Sequence, residues 1–506
     1  MSSVAPQVAV EAESSGRLSV AEWTIGALFV LALAIRSYGL EDQCLTNDEI
    51  IEIRIANRSW SDIVFAADGF PPLHHLILKA ALTVTDNEMA GRWLSMLYGS
   101  LTIPMIGWLA WRFADSKAAV FASGLLAINP LHVYFSQEGR SYALFFLFCV
   151  LSVWLYWRAI EISTNSAWGA FVVAAGLGGY VHYYFGFVLL ALGIIWLRQA
   201  ISTTTWRQGA VALALIAVAQ LPLLMLLGYD LGCQQSMQQT FFSVSALGYT
   251  GWAWLTGFCL GPSLTELHEA ELSSAIQKIC VWIIPMTIVV LYWLIGGRLL
   301  TRKSRVDLLL LLIIPLAAAC AAALQMQVSF NVRYVVSCLL PLIVWLAIAL
   351  SKEPRRWLQV AICLILVAAS ATSLANRQFD TRYFNEQSRA AFDYIVDHSD
   401  DNSPVYTMSN YMGDSAEYFL PEAYEVIQLD DVGRQGEGLT AAIEMINQAD
   451  GPYWIFYSRP FHGDPARLFR KTLSGGANVE LMGSWPGVEL YRGSGPLDSA
   501  IDLSLP

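Results

Sequence analysis

The chain has 506 residues, 56% of them hydrophobic and only 14% charged, with a mean hydropathy of +0.48 and a net charge of −11. Soluble domains carry roughly 25% charged residues, so the bulk of this chain belongs in lipid. It has no basic tract to offer nucleic acid, and its eight cysteines form neither a C-x-x-C pair nor a zinc spacing.

Residues 1–19 read as a cytoplasmic segment before the first apolar run. Ala32-Leu33-Ala34 resembles a cleavage site, but the preceding segment is long and acidic rather than short and basic, so the run is read as a retained span. Spanning hydrocarbon takes roughly 20 apolar residues. Eleven such runs are predicted, at 20–37, 89–112, 118–135, 140–158, 167–182, 184–198, 208–228, 276–297, 306–326, 334–351 and 356–375. The fifth and sixth share one stretch, divided at the polar-aromatic break GGYVHYYFG.

Orientation follows from the basic residues. With the amino terminus inside, the cytoplasmic loops collect Arg112, Lys117, Arg158, Arg198, Arg207, the GGRLLTRKSRVD loop, Lys352, Arg355 and Arg356. Loops 38–88 and 229–275 then lie outside, and so does everything after residue 375. In the first loop, Asn47–Trp60 and Pro71–Val84 carry apolar residues at helical spacing and are expected along the interface. In the second, SALGYTGWAWLTGFCLG is too short and Gly-interrupted for a span, and reads as re-entrant or interfacial.

From Asn376 onward 20 acidic residues face nine basic ones, whereas the preceding 375 residues carry 21 of each. In this tail, PVYTMS, YEVIQLD, PYWIFYS and VELMGSW read as strands. SRAAFDYIVDHS and LTAAIEMINQA read as helices, so 376–506 is expected to be a small extracytoplasmic α/β domain. The predicted fold class is therefore an α-helical polytopic membrane body over 20–375 followed by a soluble α/β domain.

Three polar clusters fall on one predicted face. LTNDEIIEI places Asp48 and Glu49 just beyond the first span. Asn47 can cap a helix whose first turn holds both acids without any catalysis, or a carboxylate there can take a proton from a hydroxyl. NPLHVYFSQEGRSY puts Glu138, Arg140 and Tyr142 at the next external boundary, either as a snorkelling ion pair or as a cation aimed at a phosphate. SFNVRYVVSCLLP places Arg333 and Tyr334 at a third, where interfacial anchoring is the plain alternative. Together they describe an outward-facing cavity for a substrate with a hydrocarbon tail, a phosphate and a polar group. His74 and His75 read as interfacial or as sugar or metal contacts, and His182 as interfacial packing or part of an aromatic sugar lining. No cofactor is indicated and no metal site is assigned.

The order of these motifs resembles the GT-C membrane glycosyltransferases, in particular the protein O-mannosyltransferase and lipid A aminoarabinose transferase superfamily (glycosyltransferase family 39-like). The resemblance covers about the first 340 residues: Asp48-Glu49 after the first span, Pro71-Pro72-Leu73, Arg92 opening the second span, Asn129-Pro130, SQEGRSY, and Arg333-Tyr334 before a proline-containing span. It implies a GT-C fold of about 11 transmembrane helices in the plasma (inner) membrane, with sugar transfer at the extracytoplasmic face. The implied donor is a polyprenyl-phosphate sugar, the acceptor hydroxyl belongs to protein, lipid or polysaccharide, and transfer inverts the anomeric carbon. The implied catalytic residues are Asp48 as general base and Glu49 orienting it or a neighbour. Donor-phosphate contacts fall to Arg140, Arg333 and Arg92, and substrate contacts to Glu138, Tyr142, His74, His182 and Tyr334. Aminoarabinose transferases have an acidic-Lys pair before the double proline, where this chain has Gly69-Phe70. They also have a basic residue soon after the acidic pair, where this chain has Ile50-Ile51. A transporter of a lipid-linked sugar and a silent scaffold are the competing classes. The first would place charge near the bilayer midplane and show paired repeats, which this sequence lacks.

Overall fold

The structure is a computed structural model describing residues 18–65, 70–200, 205–234, 243–263, 266–267, 272–326, 330–399, 403–409, 412–433 and 436–497. Most of the amino-terminal segment, Gly69 and parts of the 229–275 loop lie outside these.

Helices fall on all eleven predicted runs. They are α1 (Val20–Ser37), then in the first loop α2 (Asn47–Ala56), α3 (Trp60–Phe65) and α4 (Leu73–Leu82), followed by α5 (Ala90–Phe113). The third run is broken into α6 (Ser116–Ile128) and α7 (Pro130–Ser136), bent by 62°. Next come α8 (Tyr142–Ile162), α9 (Asn165–Gly179), α10 (Phe185–Ala200), α11 (Trp206–Gln234), α12 (Val244–Thr256), α13 (Leu272–Gly296) and α14 (Arg302–Met326). A 3-10 turn over Val332–Cys338 leads into α15 (Leu339–Lys352), and α16 (Arg356–Phe379) closes the body. Among the described residues eight spans are long and apolar enough to cross a membrane, nine if the bent pair counts as one. The protein is a multi-pass membrane protein. Helices α9 and α10 have only 15 and 16 residues, because the break at Tyr180–Tyr184 divides one apolar stretch. Helix α15 is the central one, buried nearly throughout, whereas α1, α11 and α13 face outward.

The bend after α6 has an identifiable cause. Asn129 leaves the helical conformation and caps α7 by accepting from the His132 N–H (2.9 Å), with Pro130 in the first turn. The Leu126 carbonyl, which also accepts the Asn129 N–H at 3.3 Å, and the Ala127 carbonyl accept from the buried Arg36 guanidinium at 3.2 and 3.0 Å. Arg36 also reaches His132 Nδ1 (2.8 Å) and Ser136 (3.2 Å), locking α1 to the break.

The first predicted helix of the first loop ends early, at Ala56, and resumes as α3 after Asn57–Ser59. In the second loop SALGYTGWAWLTGFCLG forms α12, packed on α7, with the Trp254 carbonyl accepting from Asn129 Nδ2 (2.9 Å).

The tail is an α/β unit with α17 (Ser388–His398), β1 (Val405–Thr407), α18 (Gly413–Phe419), β2 (Val426–Gln428), α19 (Leu439–Ile446), β3 (Tyr453–Ser458), α20 (Pro460–Gly463), α21 (Leu468–Gly475), β4 (Val479–Trp485) and β5 (Val488–Gly493). The sheet order is β2-β1-β3-β5-β4, parallel among β2, β1 and β3 and antiparallel beyond. Strand β3 is buried along its length. Its odd residues Tyr453, Ile455 and Tyr457 pack with Ile443 and Phe469, and Trp454 and Phe456 with Phe392 and Ala416, as two-sided burial of a pleated strand requires. The fifth strand was not anticipated from sequence. It pairs with β4 across the turn at Pro486-Gly487, where Gly487 holds φ +74.

Candidate active site

The site is built from two consecutive acids on α2. Thr46 is the N-cap and its hydroxyl accepts from the Glu49 N–H (3.3 Å), while Glu49 Oε2 takes the Thr46 N–H (2.9 Å). The same Glu49 carboxylate receives a forked pair from Arg92, Nε to Oε1 and Nη2 to Oε2, both 2.7 Å. Oε1 also accepts the Gly139 N–H at 2.7 Å. One buried carboxylate thus ties the start of α2 to α5 and to the 137–141 turn. The fit depends on close backbones, since a Cβ on Gly91 would come within 3.2 Å of Gly139 Cα.

This clasp corrects one expectation. Arg92 is 2% exposed, and its other donors go to the carbonyls of Leu40, Gln43 and Cys44, leaving none for a phosphate. Glu49 is equally enclosed, which suits the orienting part the resemblance implies for it.

Fixing Glu49 against Gly139 brings their neighbours together. Arg140 Nη1 donates to Asp48 Oδ2 at 2.5 Å, and Arg333 Nη1 approaches the same oxygen at 3.3 Å from the 3-10 turn that Asn331 caps. Asp48 keeps 38% of its side chain exposed, against 7% for Arg140. The Nε atoms of Arg140 and Arg333 are buried without a hydrogen-bond acceptor. Unpaired buried donors of this kind point to a ligand or bound water. Burial raises the Asp48 carboxyl, but Arg140, Arg333 and Arg459 outweigh it and hold the group below the usual carboxylate range.

An aromatic wall flanks the two cations. Arg140 lies over the Tyr142 ring at 5.0 Å and Arg333 over Tyr334 at 5.5 Å. Tyr334 stacks on Tyr184 (4.8 Å), and His182 stacks on Phe145 (4.8 Å) with Tyr142 at 5.7 Å. Tyr142, His182 and Tyr334 are therefore brought together as the sequence suggested. Glu138 lies in the same turn as Arg140. Its Oε2 is buried without a hydrogen bond, and burial, only partly offset by Arg140 and aided by the charges of Glu49 and Asp48, pushes its carboxyl up to about 7.

His74 corrects a second expectation. It is 1% exposed on α4 behind Glu52, where burial lowers its ring to about 4, so it lines no substrate surface. His75 Nε2 sits 2.6 Å from Glu52 Oε2, and Arg140 Nε lies 3.6 Å from Oε1. Glu52, one helical turn after Asp48, was missed. Its carboxyl is raised by burial, but His75, His74 and Arg140 together bring it down to about 2. The i, i+4 spacing in NDEIIEI was the available signal, because it puts both acids on one helix face. Among the described residues no group of three His, Cys, Asp or Glu side chains has metal-binding geometry.

Solved structures share this architecture. ArnT from Cupriavidus metallidurans in the apo state superposes with a TM-score of 0.60 at 12% identity, covering 94% of this chain and 98% of that one. This is the GT-C fold. The same enzyme bound to undecaprenyl phosphate gives 0.57 at 13% identity, covering 96% and 100%. The oligosaccharyltransferase AglB from Archaeoglobus fulgidus, in complex with an inhibitory peptide and a dolichol-phosphate, gives 0.55 at 12%, covering 86% and 69%. The family model for dolichyl-phosphate-mannose-protein mannosyltransferase matches residues 70–224 of the GT-C body, from Phe70 before the double proline into α11. No curated protein matches the chain by sequence.

Proposed function

We propose that this protein transfers a sugar from a polyprenyl-phosphate carrier to an acceptor hydroxyl, with inversion at the anomeric carbon. The observation that carries the reading is the Asp48 carboxylate, over one-third exposed and bridging two arginines whose Nε donors have no hydrogen-bond acceptor among the described residues. The solved relatives that bind undecaprenyl phosphate or dolichol-phosphate support it, as does the mannosyltransferase model.

The chemistry follows from the charges. With no phosphate present, Asp48 neutralises Arg140 and Arg333 and is a weak base. A carrier phosphate brings stronger acceptors and draws the guanidiniums to itself, which frees the carboxylate and raises its proton affinity. The acceptor hydroxyl then gives its proton to Asp48 as its oxygen attacks the anomeric carbon, and the carbon–oxygen bond to phosphate breaks. The departing polyprenyl phosphate takes the electron pair, with its charge held by Arg140 and Arg333, each such donor contributing about 3 kcal/mol in a water-poor site. One displacement needs one base, unlike the two working carboxylates of a retaining glycosidase. Tyr142, His182 and Tyr334 form an apolar wall suited to a sugar face. In this reading the body over 20–375 carries the chemistry, Asp48 and the domain over 376–506 face the extracytoplasmic side of the inner membrane, and the amino terminus is cytoplasmic.

The test is release of polyprenyl phosphate from a panel of polyprenyl-phosphate sugars by the full chain in nanodiscs, with crude membrane acceptors supplied. Release by wild type and none by Asp48→Asn is expected, and the active donor identifies the sugar as hexose or pentose. Silence from wild type on every donor would overturn the reading.

A further inference from the structure

We propose that the sheet domain supplies a residue to the membrane site: Arg459 is a third cation beside Asp48 and positions the carrier's phosphate together with Arg140 and Arg333. The inference rests on the transferase reading and extends it to a part of the chain outside the resemblance.

Arg459 follows β3 at the carboxyl end of the parallel strands, the edge at which open α/β sheets present functional groups. Its backbone is left-handed, at φ 44 and ψ 51. That conformation favours Gly or Asn, and strain of this kind clusters at functional sites. The side chain is held from behind, with Nε donating to Glu386 Oε1 at 2.5 Å and both groups about one-fifth exposed.

Glu386 is in turn anchored to the membrane body. The neighbouring Asn385 gives its N–H to Gln43 Oε1 and its side-chain amide to the Cys44 carbonyl, both at 2.9 Å. The carbonyls of Gln43 and Cys44 are also the acceptors of Arg92, which holds Glu49 beside Asp48. A continuous set of contacts therefore runs from the sheet domain to the acidic pair. On the other side of α2, Ser415 donates to Asn47 Oδ1 at 2.7 Å, and Tyr418 and Phe419 pack on Ile50 and Ile53. The domain grips the helix that carries Asp48 at its first turn and along its length. Arg459 also acts on Asp48 electrostatically, after Arg140 and Arg333 and against Glu52.

Three arginines, Arg140, Arg333 and Arg459, then meet two carboxylates, the part-exposed Asp48 and the Glu386 that pairs with Arg459. Glu49 and Glu52 of α2 are engaged by Arg92 and by His75, and Glu138 is half-buried in the turn beside Arg140. The one positive charge left over suits a phosphate that enters from lipid and meets the aqueous domain at its head group.

Undecaprenyl phosphate is the probe, titrated into the full chain in nanodiscs beside undecaprenol, which has the same tail without the phosphate. Arg459→Asn, a residue tolerant of the left-handed backbone, should weaken the phosphate about five- to tenfold, the size of one charge-assisted contact. It should leave undecaprenol binding unchanged. Arg459→Lys should recover most of the loss, and Arg470→Gln, altering a pair with Glu489 within the sheet domain, should change nothing. Equal weakening of both lipids by Arg459→Asn would assign a merely structural role and overturn the inference. So would wild-type phosphate binding by Arg459→Asn when Arg140→Gln is weakened. If Arg140→Gln also binds as wild type, the reading of the site itself fails first.

Discussion

The Glu49–Arg92 clasp and the Asp48–Arg140–Arg333 cradle lie one residue apart on α2 and use the same two chemistries. They differ in solvent and in saturation. The clasp is buried, with every Arg92 donor group engaged and Glu49 accepting from three segments. The cradle is part-exposed at Asp48 and leaves a donor on each arginine without a hydrogen-bond acceptor among the described residues. A saturated buried pair is a fastening, because removing one partner strands the other's charge. An unsaturated, half-exposed group can exchange partners, and only such a group can meet a substrate.

The sharpest way to break this distinction is to neutralise each acid's region separately. Asp48→Asn should lower turnover by about 10²–10⁴-fold, as expected for a general base. Its thermal unfolding should stay close to wild type, since the group is over one-third exposed. Arg92→Met should do the reverse, costing about 3–5 kcal/mol of stability by leaving Glu49 buried and unpaired. A loss under about 1 kcal/mol in detergent unfolding would make the clasp no different from a surface pair. Arg333→Gln should reduce turnover by about 10²-fold through the leaving phosphate, measured as polyprenyl phosphate release.

A gentler test uses Glu138, whose carboxyl is raised from 4.5 to about 7. The folded protein holds this proton more tightly than the unfolded chain does, so the group's contribution to stability falls as pH rises from about 4.5 to 7. Glu138→Gln should flatten that part of a melting-temperature profile, and an unchanged slope would show that its carboxyl is not raised by the fold. The smallest effect belongs to Arg54, which pairs with Asp414 and Glu417 while half exposed. Arg54→Ala should cost under about 1 kcal/mol, measured by the same unfolding.

Much of the body was legible because hydrophobic period and length report on lipid directly. All eleven apolar runs became helices, and the span boundaries that carry Asp48, Arg140 and Arg333 came together at one end of the bundle. Arg92 misled because an arginine opening a span has the same local pattern whether it faces a phosphate or a neighbour's carboxylate. His74 misled in the same way, since α4 turns it inward onto Glu52. Strand β5 escaped notice because VELYRG is short, and its burial comes from partners on β3 and β4.

By itself, then, the sequence determined which segments leave water, which boundaries carry charge, and that the tail is a separate α/β unit, because each follows from composition within one window of chain. Which of two adjacent acids stays open was decided by tertiary structure. Gly139 and Arg92 arrive at Glu49 from segments 90 and 43 residues away, and Arg333 arrives at Asp48 from 285 residues away. Saturation of a charged group is a count of partners, and those partners are assembled only when the chain folds.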